Sequence, residues 1–255
     1  MDWLVANYKR QDFSRHSHSE YVIGIIESGK HDVWCRGSWW QAGRNAIATL
    51  SPDEPHFGRA GSELGWSQTM FYIPEESVRD IFDADDKNVR SGIAFDSPFH
   101  ECSLIYSKLC LLRDILGRNR DPLCAEELFQ DILKTVFAAF GSLTTTEARS
   151  VSGADNRIRE YLHDNHAQRI SLDQLCNLSC SSKQMVIANF KRRFGMTPFQ
   201  YLQNVRVMKA RDLLRSGCGL AEVSAATGFS DQSHLSRNFK AVLGVTPGQY
   251  SVVFQ

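Results

Sequence analysis

The spacing of apolar residues changes character along the 255-residue chain. Over roughly the first 75 positions, apolar residues come in short β-branched or alternating runs. Period-two alternation sends every second side chain to one face, so these runs read as strands. The densest is Tyr21-Val22-Ile23-Gly24-Ile25-Ile26. A turn at Glu27-Ser28-Gly29-Lys30 then leads to a second strand over 31–36, with further strands near 38–41, 46–50 and 66–73. Gly- and Pro-bearing segments such as Ser51-Pro52-Asp53-Glu54-Pro55-His56 separate them. Many short strands at regular spacing predict a sandwich or barrel.

From about 98 to 140 the period becomes helical. One helix carries Leu104, Leu109, Leu112, Ile115 and Leu116 and stops at Gly117. Asp121 caps the next, Pro122 takes its first turn, and Leu128, Phe129, Ile132, Leu133, Val136, Phe137 and Phe140 follow. That stripe is wider than one helix flank needs. It fits either a cover for the barrel or a dimer seam. Residues 142–153 are small and polar and read as a linker. Asp155 then caps a helix bearing Ile158, Tyr161 and Leu162.

Beyond this the chain repeats itself. Phe190-Lys191-Arg192-Arg193-Phe194-Gly195-Met196-Thr197-Pro198-Phe199-Gln200-Tyr201 recurs 49 positions later as Phe239-Lys240-Ala241-Val242-Leu243-Gly244-Val245-Thr246-Pro247-Gly248-Gln249-Tyr250. Two copies of one supersecondary unit follow from that self-similarity. In copy one, Ser171 caps a helix through Leu178, Ser179-Cys180-Ser181 turns, and Ser182 caps a second helix to about Arg193, stopped by Gly195. In copy two, a helix over 220–227 turns at Gly228-Phe229, and Ser230 caps a helix to about Val242, ended by Gly244. Two such units, about 171–193 and 220–242, have the helix-turn-helix outline, whose second helix enters the DNA major groove. Thr197 and Pro198 open the helix that joins them, which runs to Ser216 and ends at Gly217.

The exposed face of each second helix is rich in groups suited to DNA. Lys183, Gln184, Ile187 and Ala188 in copy one, and Gln232, Ser233, His234 and Arg237 in copy two, occupy the base-reading positions. Lys191, Arg192, Arg193 and Lys240 follow near the helix ends, where they suit phosphates. Charge agrees. Residues 155–255 hold 13 Lys and Arg against 7 Asp and Glu, while the rest holds 16 against 22. A neutral chain is thus a basic C-terminal part joined to an acidic N-terminal part, and only the former suits nucleic acid. The seven cysteines form no zinc-like pair of CxxC motifs and suit a reducing compartment. Met1-Asp2-Trp3 does not open a signal peptide, and no apolar segment reaches membrane-spanning length, so a cytoplasmic location with no membrane partner is expected.

The segment Gly228-Phe229-Ser230-Asp231-Gln232-Ser233-His234-Leu235-Ser236-Arg237-Asn238-Phe239-Lys240 resembles the bacterial AraC/XylS transcriptional regulators. So do Gly244-Val245-Thr246-Pro247 and, in the joining helix, Arg206-Val207-Met208-Lys209-Ala210-Arg211-Asp212-Leu213-Leu214. The likeness covers about 155–250. Copy one departs from it: family members often carry Arg where Ala188 stands, after Ile187. That shifts copy one toward apolar contact with thymine methyls. The N-terminal strands are similar to the cupin-like sensing domain of that family, on His16-Ser17-His18, Gly43, Pro52-Asp53-Glu54-Pro55-His56 and Gly65-Trp66.

What the resemblance implies is an α+β protein of two domains. Residues 1–141 would form a cupin-like β-barrel with flanking helices, 142–154 a linker, and 155–255 an all-α double helix-turn-helix. The function implied is sequence-specific regulation of transcription, in an activator responsive to a small-molecule effector, acting on double-stranded DNA as a homodimer with RNA polymerase as a further candidate partner. An effector pocket inside the barrel would draw on His16, His18, Trp34, His56, Trp66 and Tyr72, with Trp39 and Phe57 as further aromatic candidates. The alternative is a metal-dependent cupin enzyme with a helical appendage. Cupin metal sites use an HxH pair, a Glu shortly after and a later His. His16, His18 and His56 fit in kind, but Glu20 comes too early and Val22 and Ile23 occupy the place of the carboxylate. No metal, no cofactor and no enzymatic activity are therefore expected.

Overall fold

In a computed structural model, residues 2–82, 93–118, 121–143 and 153–253 are described. The chain divides into two compact units, residues 1–11 with 18–150, and residues 12–17 with 151–255. Most of the expected linker, 144–152, lies outside the described residues. Its first residues are strand: β9 (Gly141–Leu143) pairs with β7 (Ile93–Phe95).

The first unit is built around one long strand. The expected turn at 27–30 does not form; β2 runs unbroken over Tyr21–Cys35. A register shift between Ile26 and Ser28 and a positive φ of 72° at Gly29 bend the strand instead. Gly29 also lies so close to the Gly65 carbonyl that a β-carbon would collide with it. Before the bend β2 pairs with β4 (Ile47–Leu50) and β6 (Trp66–Ile73). After it, β2 pairs with β3 (Ser38–Gly43) and β5 (His56–Ala60). One strand thus serves two sheets, which is how a short meander closes toward a barrel. β1 (Asp2–Tyr8) extends the β6 edge and β8 (Phe99–His100) the β4 edge. A short helix, α1 (Glu75–Phe82), follows β6.

The pleat assigns the two faces. Tyr21, Ile23, Ile25, Phe71 and Ile73 share a core with α2 (Ser103–Gly117) and α3 (Pro122–Phe140) through Leu109, Leu112, Ile132, Leu133 and Val136. The wide apolar stripe therefore covers the sheet, and Asp121 caps α3 through Cys124 N–H at 3.2 Å. Alternate positions, including Tyr8, Val22, Trp66 and Gln68, face the barrel interior and are buried.

The second unit holds α4 (Ala154–Asp164), α5 (Leu172–Ser179), α6 (Lys183–Phe194), α7 (Pro198–Arg215), α8 (Leu220–Ala226), α9 (Gln232–Leu243) and α10 (Pro247–Val253). Two apolar clusters share α7. Tyr201, Leu202 and Val205 join Leu175, Val186 and Phe190, whereas Val207, Ala210 and Leu214 join Val223, Leu235 and Phe239. Ser171, Ser182 and Thr197 cap their helices as the sequence predicts, and Gly195 and Gly244 end theirs with positive φ. Two caps differ. Asp231, not Ser230, caps α9, accepting from His234 N–H at 2.7 Å, while the Ser230 hydroxyl donates to the other Asp231 oxygen at 2.9 Å. Gly153, not Asp155, stands before α4, leaving Asp155 in the first turn.

The repeat has a structural cause. Thr197 and Gln200 form a capping box at α7, and Thr246 and Gln249 make the same reciprocal bonds at α10. Thr197→Ala should cost about 1 kcal/mol of stability in urea unfolding. An unchanged midpoint would show the cap to be idle. Segment 12–17 packs with this unit: Ser14 N–H donates to Ala241 O at 2.7 Å, Arg15 to Gly195 O at 2.6 Å, and Asn204 Nδ2 to Ser17 O at 2.8 Å.

Candidate nucleic-acid interface and barrel interior

Each second helix turns its apolar side inward and leaves a polar ridge outside. On α6, Val186 and Phe190 are buried, while Lys183, Gln184, Ile187 and Ala188 are exposed. On α9, Leu235, Phe239, Val242 and Leu243 are buried, while Gln232, Ser233 and Arg237 are exposed. Both exposed ridges lie on helices of 12 residues each. Joining them is α7, whose 18 residues span about 27 Å at ~1.5 Å per residue.

Local bonds sort the expected readers. His234 is half-buried, with Nδ1 3.1 Å from Ser230 Oγ and its ring edge-on to Phe229 at 5.2 Å. It is tied into the α9 N-terminus and is less available than Gln232, Ser233 or Arg237. The Asp231 carboxyl there is held below its usual range, first by the His234 backbone N–H. Lys183 reaches back to Asp173 on α5, Nζ to Oδ1 2.7 Å, and that partner raises its pKa. Both groups are exposed, so water competes for the pair and Lys183 can exchange Asp173 for a phosphate or base at small cost. Arg192 donates to Asn189 Oδ1 at 2.9 Å, which holds its guanidinium along the helix, and Lys191, Arg192 and Arg193 make up the last turn of α6.

Met185 was not among the sequence candidates. It is 55% exposed, near Ile187 at 38%. A Met at the start of a capped helix, two residues before an Ile that the apolar pattern leaves outside the core, was the available signal. Copy one therefore offers an apolar ridge where copy two offers polar ends.

The barrel interior differs from the expected pocket. Trp66 and Tyr72 face inward, and His18 lies beside His56 (ring centroids 4.9 Å) and edge-on to Tyr72 (5.8 Å). Burial pushes the His56 imidazole down to about 3, with His18 adding to the shift. Trp34 does not belong there. The inward positions of this part of β2 are His31, Val33 and Cys35, so the pleat sends Trp34 to the opposite side. There it stacks on Phe57 at 5.4 Å, next to Trp39. The Arg59 guanidinium lies over Trp39 at 4.3 Å. His16 belongs to segment 12–17, and its Nδ1 is 2.7 Å from Ser14 O. The inward groups that the sequence did not single out are Tyr8, His31 and Gln68. The register shift between Ile26 and Ser28 reverses the parity of β2, so alternation alone does not reveal that His31 faces inward. His31 stacks on Trp66 at 4.5 Å and 11°, and Gln68 Oε1 accepts the Trp66 indole N–H at 2.8 Å. Burial raises the Tyr8 pKa and pushes the Cys35 thiol up to about 12, so both stay neutral.

No described helix is long and apolar enough to cross a membrane. Residues 2–133 match the model of an AraC-like ligand binding domain, and residues 175–251 that of a helix-turn-helix domain. The HTH-type transcriptional activator RhaS of Escherichia coli is 31% identical over 251 residues, covering 92% of this chain and 86% of that protein. An uncharacterized HTH-type transcriptional regulator of Bacillus subtilis, YbfI, is 27% identical over 230 residues, covering 88% and 82%. Crystal structures of ToxT from Vibrio cholerae share the fold. The apo form of one ToxT variant has a TM-score of 0.63 at 13% identity over 100% of this chain and 98% of that one. A two-part model match over both units and near-full-length likeness to such a regulator agree with the paired ridges on α6 and α9: the chain belongs to the AraC family of transcriptional regulators, with a ligand-binding N-terminal domain and a helix-turn-helix DNA-binding C-terminal domain.

Proposed function

We propose that α6 and α9 enter two successive major-groove segments on one side of a duplex, and that occupancy of the barrel by a small-molecule effector controls this binding. The observation that carries the reading is the pair of exposed ridges at the two ends of α7. A rod of about 27 Å approaches the ~34 Å between major-groove faces one turn apart, and slight DNA bending takes up the difference. In this reading Gln232, Ser233 and Arg237 read base edges, while Lys191, Arg192, Arg193 and Lys240 neutralise phosphates. Arg237 is the guanine reader, since a guanidinium can bond O6 and N7 together. Exposed Leu104 and Leu111, seven apart on α2, and exposed Leu123 on α3 support the homodimer seam. Activation through contact with RNA polymerase completes the proposal.

Selection of bound duplexes from a random pool, followed by footprinting, tests it. Two protected major-groove segments about one turn apart are expected, with a guanine preference in the copy-two segment that Arg237→Ala relaxes by ~1–3 kcal/mol. One protected segment, or an unchanged base preference in the variant, would sink the assignment.

A further inference from the structure

The middle of α7 is where the two apolar clusters meet. Val205 belongs to the first and Val207 to the second. The polar residues beside them, Asn204 and Arg206, are only 5% and 8% exposed. At about 3.6 residues per turn they leave α7 roughly 200° apart, on opposite sides. Each is bonded to a segment that joins the two helix-turn-helix copies.

Arg206 holds the loop that leads from α4 into copy one. Its Nε donates to His166 O at 2.7 Å and its Nη2 to Gln168 O at 2.8 Å. An apolar side chain would fill this space without the cost of desolvating a charge, but only a guanidinium fork bonds two carbonyls in one fixed geometry. The residue type is therefore explained by the loop it pins. Between the two bonded carbonyls, the Ala167 backbone lies against Gly228, the turn glycine of copy two. Gly228 has a φ of 76°, and a β-carbon on it would stand 2.6 Å from Ala167 O. Glycine is what lets the loop and the turn come this close.

Asn204 holds segment 12–17 on the other side, with Nδ2 donating to Ser17 O at 2.8 Å. Arg15 of the same segment bonds Gly195 O at the end of α6, and the Ser14 N–H bonds Ala241 O in α9. Two clasps thus flank the midpoint of α7, and each ties copy one to copy two.

We propose that these clasps fix the spacing and relative rotation of α6 and α9, with Arg206 and Asn204 as positioning residues, so that the protein selects the distance between its two DNA segments as well as their sequence. This rests on the reading that both helices enter the duplex. One base pair inserted between the segments moves the second by ~3.4 Å and turns it by about 35°. Two helices joined by α7 alone could follow such a change by flexing. A clasped pair cannot, and any mismatch falls on the DNA.

The test uses the full chain and the duplex selected from the random pool. Further duplexes carry one base pair more or one fewer between the segments, or the copy-two segment alone. Affinity is measured for the wild type, Arg206→Met and Asn204→Leu at a temperature where circular dichroism shows each to be folded. The wild type should lose about tenfold or more on either altered spacing, because joint engagement of linked modules fails when geometry forbids it. Each variant should bind the altered spacings within about threefold of the selected one, and the single segment as the wild type does. If Arg206→Met does not fold, Asn204→Leu decides, since it removes one bond and nearly keeps the side-chain size. Equal wild-type affinity across spacings, or a wild-type penalty in either folded variant, overturns the proposal. So does an equal loss on every duplex, the single segment included, which would make the clasps purely structural. Footprints separate the two readings. One protected segment in the wild type fails the two-groove reading itself, whereas two protected segments at every spacing fail only this inference.

Discussion

Replacing Phe239 by alanine should unfold the second helix-turn-helix and leave the first standing. Phe239 is fully buried, edge-on to Tyr250 at 5.6 Å, and central to the cluster with Val223, Leu235 and the C-terminal half of α7. Removing such a ring costs about 3–5 kcal/mol through lost transfer energy and the cavity left behind. That is a large share of the ~5–15 kcal/mol that holds a domain together. The loss should stay local because Phe190 anchors a separate cluster with Leu175, Val186 and the N-terminal half of α7. Amide exchange should accelerate across α8, α9 and α10 while α5 and α6 keep their protection. On a selected duplex, the copy-two segment should lose its footprint. Equal loss of protection in both modules would mean that α7 makes them one cooperative unit and would refute the two-core reading.

The C-terminal unit was legible because its signals are local. Ser171, Ser182 and Thr197 cap through bonds spanning three residues, and Gly195 and Gly244 stop helices by taking a conformation that L residues resist. The Ser230 and Asp231 difference is the residual ambiguity of such signals, since either side chain has the chemistry of a cap. The barrel was less legible because its determinants are distant. Gly29 looks like a turn glycine, yet its positive φ bends a strand whose partners lie far along the chain, as in Gly29↔Trp66 and Tyr21↔Ile73. Trp34 is chosen as an aromatic, and even unbroken alternation from Val22 would keep it inside; the register shift between Ile26 and Ser28 reverses the parity and turns His31 inward instead. Trp66, Tyr72, His18 and His56 stand out because aromatic and imidazole side chains are conspicuous by type alone. Which face they occupy has to come from pairing register.

The larger effect on DNA binding is expected from charge. Changing Lys191, Arg192 and Arg193 together to Gln should weaken binding to every duplex alike and lower the salt slope by about 2.7, at ~0.9 per lost phosphate contact. The three occupy the last turn of α6, where cations also favour the helix dipole, so a stability role must be separated from a DNA role. Ionic strength makes that separation. A dipole role would shift the unfolding midpoint and leave the slope of log affinity against log salt unchanged; a phosphate role does the reverse. Selectivity gives a second check, because phosphate contacts carry no sequence information. The triple variant should retain the base preferences of the wild type, whereas Arg237→Ala keeps the salt slope nearly intact and loses a preference. Copy one should also be the more tolerant reader, since Met185, Ile187 and Ala188 offer thymine methyls apolar contact rather than hydrogen bonds. A scan of base substitutions across both segments should therefore find its steepest penalties under α9. Penalties concentrated under α6, or a changed base preference in the triple variant, would show that the basic turn reads sequence and that the division of labour between the two helices is the other way round.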